Sequence, residues 1–286
     1  MKDRECESHI LVKTLEVEHT VEQVRAERAV SPPVRGSFAK SFNIVRELAV
    51  ADFRLKYHDS ALGYIWSMLN PMFMFAIYYF VFTKILPSNI GDYPIFLLIG
   101  ILGYTFFQDC TFSAMNAISG KSGLMKKIYF PRSIIVFASM LTCILSYAIN
   151  TVVLLALVAI LKGFSPFAML LPIPIACLVL FSAGISFLLA ALFAYFRDMV
   201  QIWNVLTLAI FWVSSIVFNV DRLPASISSI VYFNPLTRIF ALMRHYLLYD
   251  YFDFRFLLMT ILYSMAAFAI GFAIFQRYEK RLPELF

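Results

Sequence analysis

Charge is scarce in this chain. Of its 286 residues, 15% are Asp, Glu, Lys or Arg and 61% are hydrophobic, whereas soluble domains carry about 25% and 45–50%. A water-soluble fold of that balance would expose large apolar patches, so the composition points to an integral membrane protein. Cysteine is sparse too. Cys6, Cys110, Cys143 and Cys177 are scattered, form no Cys-x-x-Cys, and fall mostly in apolar runs, so they read as small buried hydrophobes and not as disulfides or metal ligands. His9, His19, His58 and His245 include no pair at metal-site spacing, and no metal site is expected. Paired carboxylates in apolar surroundings are absent, as is any nucleophile–base set. No catalytic residue is therefore assigned, and the chain reads as a non-enzyme.

A nucleotide site is missing as well. Ser119-Gly120-Lys121-Ser122 imitates the end of a phosphate-binding loop, but that motif requires a glycine where Met115 stands, preceded by a strand the sequence does not suggest. No cofactor is expected in this chain. If ATP drives it, ATP and Mg bind another polypeptide.

What the chain has is long charge-free intervals: 60–83, 93–108, 133–161, 163–196, 199–220 and 256–276. A helix needs about 20 mostly apolar residues to cross a bilayer. The second interval reaches that length only by continuing past Asp109. The third and fourth are separated by the breaker Lys162-Gly163-Phe164-Ser165-Pro166. Six spans are expected, at about 62–85, 93–116, 133–160, 170–195, 200–219 and 256–276. With the N-terminus placed in the cytoplasm, the segments beyond residue 37 carry 12 Lys and Arg inside against 6 outside. That bias favours both termini cytoplasmic.

Residues 1–37 form a charged extension closing on Ser31-Pro32-Pro33. They fit either a short helix through Leu11, Leu15 and Val21 or disorder, and they lack the apolar core of a signal peptide. Residues 38–56 place Phe38, Phe42, Val45, Leu48 and Ala49 at helical spacing with basic groups elsewhere on the turn. This predicts an amphipathic helix lying in the interface. The permease domain is therefore 38–286.

The segment 221–255 is apolar yet broken by Pro224, Asn234-Pro235 and Arg238. A central arginine costs about 2.5–3.5 kcal/mol on insertion scales, and proline cannot continue the hydrogen-bond ladder. Two short helices entering and leaving one membrane face, between spans five and six, satisfy both constraints, provided protein covers the turn.

Several motifs converge on one family. Asp52-Phe-Arg-Leu-Lys-Tyr-His-Asp-Ser-Ala-Leu-Gly-Tyr-Ile-Trp-Ser-Met-Leu-Asn-Pro71 opens the first span. Lys126-Lys127-Ile-Tyr-Phe130-Pro131-Arg132 lies between spans two and three, Phe196-Arg197-Asp198 after span four, and Asn234-Pro235-Leu236-Thr237 after span five. In this order they resemble the type-2 ABC exporter permeases, in particular the branch exporting lipid-linked polysaccharides such as O-antigen, capsule and teichoic acid. The resemblance covers about residues 40–286.

That resemblance implies a membrane subunit working as a homodimer in a bacterial or archaeal plasma (inner) membrane, with two ATPase subunits beneath it. Leu124, Lys126, Lys127, Ile128, Phe130 and Arg132 become the candidate coupling helix seated in the ATPase. Arg54 and Lys56 become candidates for the lipid phosphate at the entrance, arginine bidentately and lysine as a point charge. Asn234, Pro235 and Arg238 belong to an outer gate. Sugars present apolar C–H faces that stack on rings, so Tyr64, Trp66, Tyr104, Phe106, Phe107, Phe211 and Trp212 are candidates for the pathway wall. Membrane lipids and the lipid-linked polymer are the implied partners, and no nucleic acid is. A type-2 exporter of a drug or small lipid would share the fold. An ion-driven transporter would need midspan charges and an internal repeat, and a membrane glycosyltransferase would need clustered loop carboxylates; the sequence displays neither.

Overall fold

A computed structural model describes residues 45–53, 65–85, 90–120, 131–163 and 165–279. Among them every regular element is helical. Residues 45–53 form α1. α2 is Ile65–Phe80, running into a π-helical turn at Val81–Ile85. α3 is Tyr93–Gly120, α4 Ser133–Leu161, α5 Pro172–Tyr195 and α6 Met199–Val213. Two short helices follow, α7 at Ala225–Val231 and α8 at Pro235–Arg244, and then the long α9 at Phe254–Glu279. Residues 1–37 and most of the expected interfacial helix lie outside the described residues.

Local chemistry explains the boundaries. Ser165 accepts a hydrogen bond from the Phe167 N–H, and Pro166 starts a 3-10 turn. Pro172 then stands at the first position of α5, where its missing N–H costs nothing. Asp92, with φ of 52°, turns the chain just ahead of α3. α4 is capped from another helix: the Glu279 carboxylate accepts from the Arg132 backbone N–H at 2.5 Å and the Ser133 N–H at 3.4 Å. A negative group there also meets the positive end of the helix dipole.

Five described helices are long and apolar enough to cross a bilayer: those containing Met68–Ile85, Tyr93–Ile118, Ser133–Leu161, Pro166–Tyr195 and Phe254–Glu279. The fifth expected span, 200–219, is shorter than its charge-free interval. α6 has 15 residues, about 22 Å at 1.5 Å per residue, and ends at Val213 instead of 219. Ser214 turns its hydroxyl back onto the Ile210 carbonyl at 2.6 Å, and Ser215 adopts a left-handed φ of 50°. Neither serine carries charge, so a charge-free interval runs straight through the true end. The carbonyls released there are taken up by α8. Thr237 Oγ1 donates to Val213, and the Arg244 guanidinium donates to Ser215 at 2.8 Å and Ile216 at 3.2 Å.

α3 is the centre of the bundle, packed against α4 and α5 and touched by α2, α6 and α8. The most extensive helix pair is α5 with α9. Their backbones meet at Gly184 and Gly271: a Cβ on Gly271 would lie 1.9 Å from the Gly184 carbonyl oxygen. Only glycine permits that approach, as is usual where membrane helices associate by close packing.

The two ends of the bundle differ. At one, Arg132 and Ser133 meet Glu279, Tyr195 stacks edge-on with Tyr278 at 5.5 Å, and Thr142 on α4 donates to the Ala49 carbonyl of α1. At the other, Lys162 pairs with Asp92 at 3.1 Å and donates to the Leu248 carbonyl. The whole stretch between α6 and α9 is anchored at this second end.

Candidate functional site

The stretch from Ser214 to Asp253 is a helix–break–helix cap. Asn219 accepts from the Asp221 N–H and starts a 3-10 turn at Val220–Arg222. Pro224 then precedes α7. The break at Tyr232–Asn234 falls where the Asn-Pro pair predicts it. Asn234 is the N-cap of α8, accepting from the Leu236 N–H at 3.0 Å, while its amide donates to Ser214 Oγ at 2.9 Å. Pro235 occupies the first helical position, so the pair both breaks one helix and begins the next. Arg238 donates from Nε to the Tyr232 carbonyl at 2.6 Å and lies over the rings of Phe256 and Tyr263, 5.1 and 5.3 Å from their centroids. Those rings belong to α9, so Arg238 ties the break to the last span through cation–π contact.

Arg244 is the residue that sequence reasoning passed over as one more outside charge. It is buried, 3% exposed. Its guanidinium donates to the Phe96 carbonyl from Nε and Nη2, to Ser215 from Nη1 and to Ile216 from Nη2, and it stacks on the Phe96 ring at 3.4 Å. Burial lowers its pKa from the ordinary arginine value, because a low-dielectric site disfavours the cation. The rigid five-donor fork offsets this by satisfying carbonyls at the start of α3 and past the end of α6 together. A cation within the apolar run 236–249 was the available signal. Gly100 makes room for it: a Cβ there would meet Arg244 Nη2 at 2.9 Å.

The aromatic candidates divide. Tyr104, Phe106, Phe107 and Phe211 are buried inside the chain. Tyr104 donates to the Thr207 carbonyl and meets Phe211 edge-on at 5.2 Å. Phe106 packs on Tyr147 at 4.7 Å, and Phe107 on Phe181 at 5.8 Å and Trp203 at 6.1 Å. These rings fill the middle of one subunit. Trp66 on α2 and Trp212 on α6 are each 49% exposed. Trp212 sits edge-on to Tyr78 of α2 at 6.5 Å, so α2 and α6 share one outward aromatic face. Phe73 at 58% and Phe80 at 58% extend it; neither stood out in sequence, since an outward ring and an inward ring look alike.

Of the coupling candidates, Arg132 is described. Its Nη1 donates to the Glu279 carbonyl at 2.5 Å, joining the start of α4 to the end of α9. Leu124, Lys126, Lys127, Ile128 and Phe130 lie outside the described residues, as do Arg54, Lys56 and Tyr64. No cluster fit to hold a metal occurs among the described residues. Asp109 lies well inside α3 on an exposed face, and not near the helix end.

A family model described as the ABC-2 type transporter matches residues 45–248. The chain is 24% identical over 246 residues to the O-antigen export system permease protein RfbA of Klebsiella pneumoniae, covering 85% of this chain and 95% of that protein. It is 28% identical over 167 residues to the protein of the same name from Myxococcus xanthus, covering 57% and 64%. Against the polysialic acid transport protein KpsM of Escherichia coli it is 23% identical over 256 residues, covering 87% and 98%.

Proposed function

This chain belongs to the ABC-2 type transporter family, and on that premise we propose that it is the membrane subunit of an exporter of lipid-linked polysaccharide. It is a multi-pass permease and not an enzyme; ATP hydrolysis belongs to a separate subunit. The substrate class follows from relatives named for O-antigen export and polysialic acid transport, matched over most of their length.

The observation that carries the mechanism is the filled centre. Tyr104, Phe106 and Phe107 on α3 are each 3% exposed or less, so the packed middle of one chain offers no polymer-wide path. The path in this reading runs between two copies, on a two-fold axis, along the outward face of α2 and α6. Trp66, Phe73 and Trp212 on that face present rings to sugar C–H surfaces, as Tyr104 and its neighbours do not. The chain passes the membrane six times, α6 being the short pass, with both termini cytoplasmic. Ser214–Asp253 enters and leaves on the outer side as the gate, and Arg244 fastens it to α3 and α6.

Loop 121–132 couples to two ATPase copies, with Arg54 and Lys56 at the lipid-phosphate entrance. The alternation of helix ends supports this orientation: Arg132, Arg197 and Arg277 fall at one end of the bundle, where the positive-inside rule wants them.

Deleting the gene tests the reading. Cells without it should lose surface polysaccharide and accumulate the lipid-linked polymer inside. The native chain should restore display, whereas charge reversal at Lys126, Lys127 and Arg132 should give a folded permease with less than about a tenth of the export. Undiminished surface polysaccharide in the deletion strain, measured by surface immunolabelling, would sink the proposal.

A further inference from the structure

Between α7, the turn His245–Tyr249 and the start of α9, at the end where α3 begins, lies an open cleft of about 740 Å³. Its volume is that of a ligand pocket, typically about 300–1,000 Å³. Rings line it. Tyr232 stands edge-on to Phe256 with centroids 5.7 Å apart, and the His245 imidazole meets Tyr251 at 5.3 Å and Phe256 at 5.6 Å. Each ring is held by the next, so little side-chain freedom remains to be lost when a ligand docks.

Polar groups sit among the rings. Asp221 Oδ1 accepts from the Tyr232 hydroxyl at 2.7 Å. Arg238 is fixed by the Tyr232 carbonyl and the rings of Phe256 and Tyr263, with its Nη nitrogens donating to no other described residue. Burial lowers the His245 pKa, so the imidazole stays neutral near pH 7. Its Nδ1 has no hydrogen-bond partner among the described residues.

This chemistry discriminates between ligand classes. A phosphate or other anion wants an excess of cationic donors, but the cleft lining balances Arg238 with the carboxylate of Asp221. A lipid chain wants an apolar wall, and Asn219, Asp221 and Arg238 contradict one. A pyranose ring suits both halves: its C–H face stacks on tyrosine, and vicinal hydroxyls find a carboxylate acceptor and a guanidinium donor. We propose that this cleft is a saccharide-binding subsite, formed by Tyr232, Tyr251 and Phe256 with Asp221 and Arg238, that takes hold of the glycan as it leaves. The inference rests on the polysaccharide reading above, which puts this end of the bundle outside the cell.

The test uses the full permease purified with its ATPase. The probe is a set of lipid-free oligosaccharides made by acid hydrolysis of the surface polysaccharide of the source cells. Saturation-transfer NMR should show binding to the native complex, and Tyr251→Ala and Asp221→Asn should each weaken it about 2- to 10-fold, the size expected for one lost ring contact or hydrogen bond. Both side chains are exposed, so folding should survive, as thermal unfolding will check. Met169→Ala, 88% exposed and not part of the cleft lining, should bind as the native protein does. Native affinity in both cleft variants, or no saturation transfer to the native complex up to roughly 10 mM sugar, overturns the subsite. If the native gene still restores surface polysaccharide, the export reading survives that result. Failure to restore it removes the export reading and the subsite together.

Discussion

α2 and α3 are both apolar enough to span a bilayer, yet over an 18-residue apolar stretch of each, 78% of the α3 residues are buried inside the chain and only 6% of those beginning in α2. The difference lies in small residues. α3 carries Gly100 and Gly103, and neighbours occupy the space that side chains there would fill: a Cβ on Gly103 would stand 2.5 Å from Phe240. α2 reads IWSMLNPMFMFAIYYF, with no glycine and mostly large side chains. In a bilayer, apolar surface has no drive to leave its surroundings, because lipid tails are as apolar as leucine. Close packing selects which helix becomes the core. α3 is built to be surrounded by protein, and α2 to present its face outward.

The contrast breaks most severely where backbones touch. Gly271→Val should prevent α5 and α9 from meeting, because the added carbons would run into the Gly184 carbonyl and no rotamer change relieves a backbone clash. Overpacking of this kind costs about 3 kcal/mol or more. The expected outcome is near-complete loss of monodisperse protein on size exclusion. Normal yield and unfolding temperature would mean the two helices are not in contact at that point.

A smaller effect is expected inside α3. Phe107→Ala empties a site that is 1% exposed, between Phe181 and Trp203. Deletions of this type cost about 3–5 kcal/mol, and the lower end applies where lipid already removes much of the transfer term. Denaturant unfolding in mild detergent measures it, and a cost below about 1 kcal/mol would place Phe107 on an open surface.

The smallest effect should be on α2. Phe73 is 58% exposed, so Phe73→Ala should change subunit stability by no more than about 0.5 kcal/mol while lowering export if α2 lines the path. A stability loss matching that of Phe107→Ala would show that α2 is buried by another chain, and the contrast between the helices would then belong to the single subunit alone.

By itself the sequence determined the all-helical membrane character, the places of four long helices, α3, α4, α5 and α9, the proline-started α5, and the break at Asn234-Pro235. These are local properties: a charge, a proline or a capping side chain acts within one turn of itself, so its consequence can be read in place. Tertiary structure alone decided where α6 stops, which rings are inside, and what Arg244 does. The helix ends at Ser214 and Ser215 because α8 side chains donate to the freed carbonyls, and α8 lies some twenty residues further along the chain. Phe107 and Phe73 are the same side chain with the same affinity for an apolar medium, yet one is 1% and the other 58% exposed, so hydropathy does not say whether protein or lipid supplies that medium. Only the shape of the neighbouring helices settles that, and shape is a property of the assembled bundle.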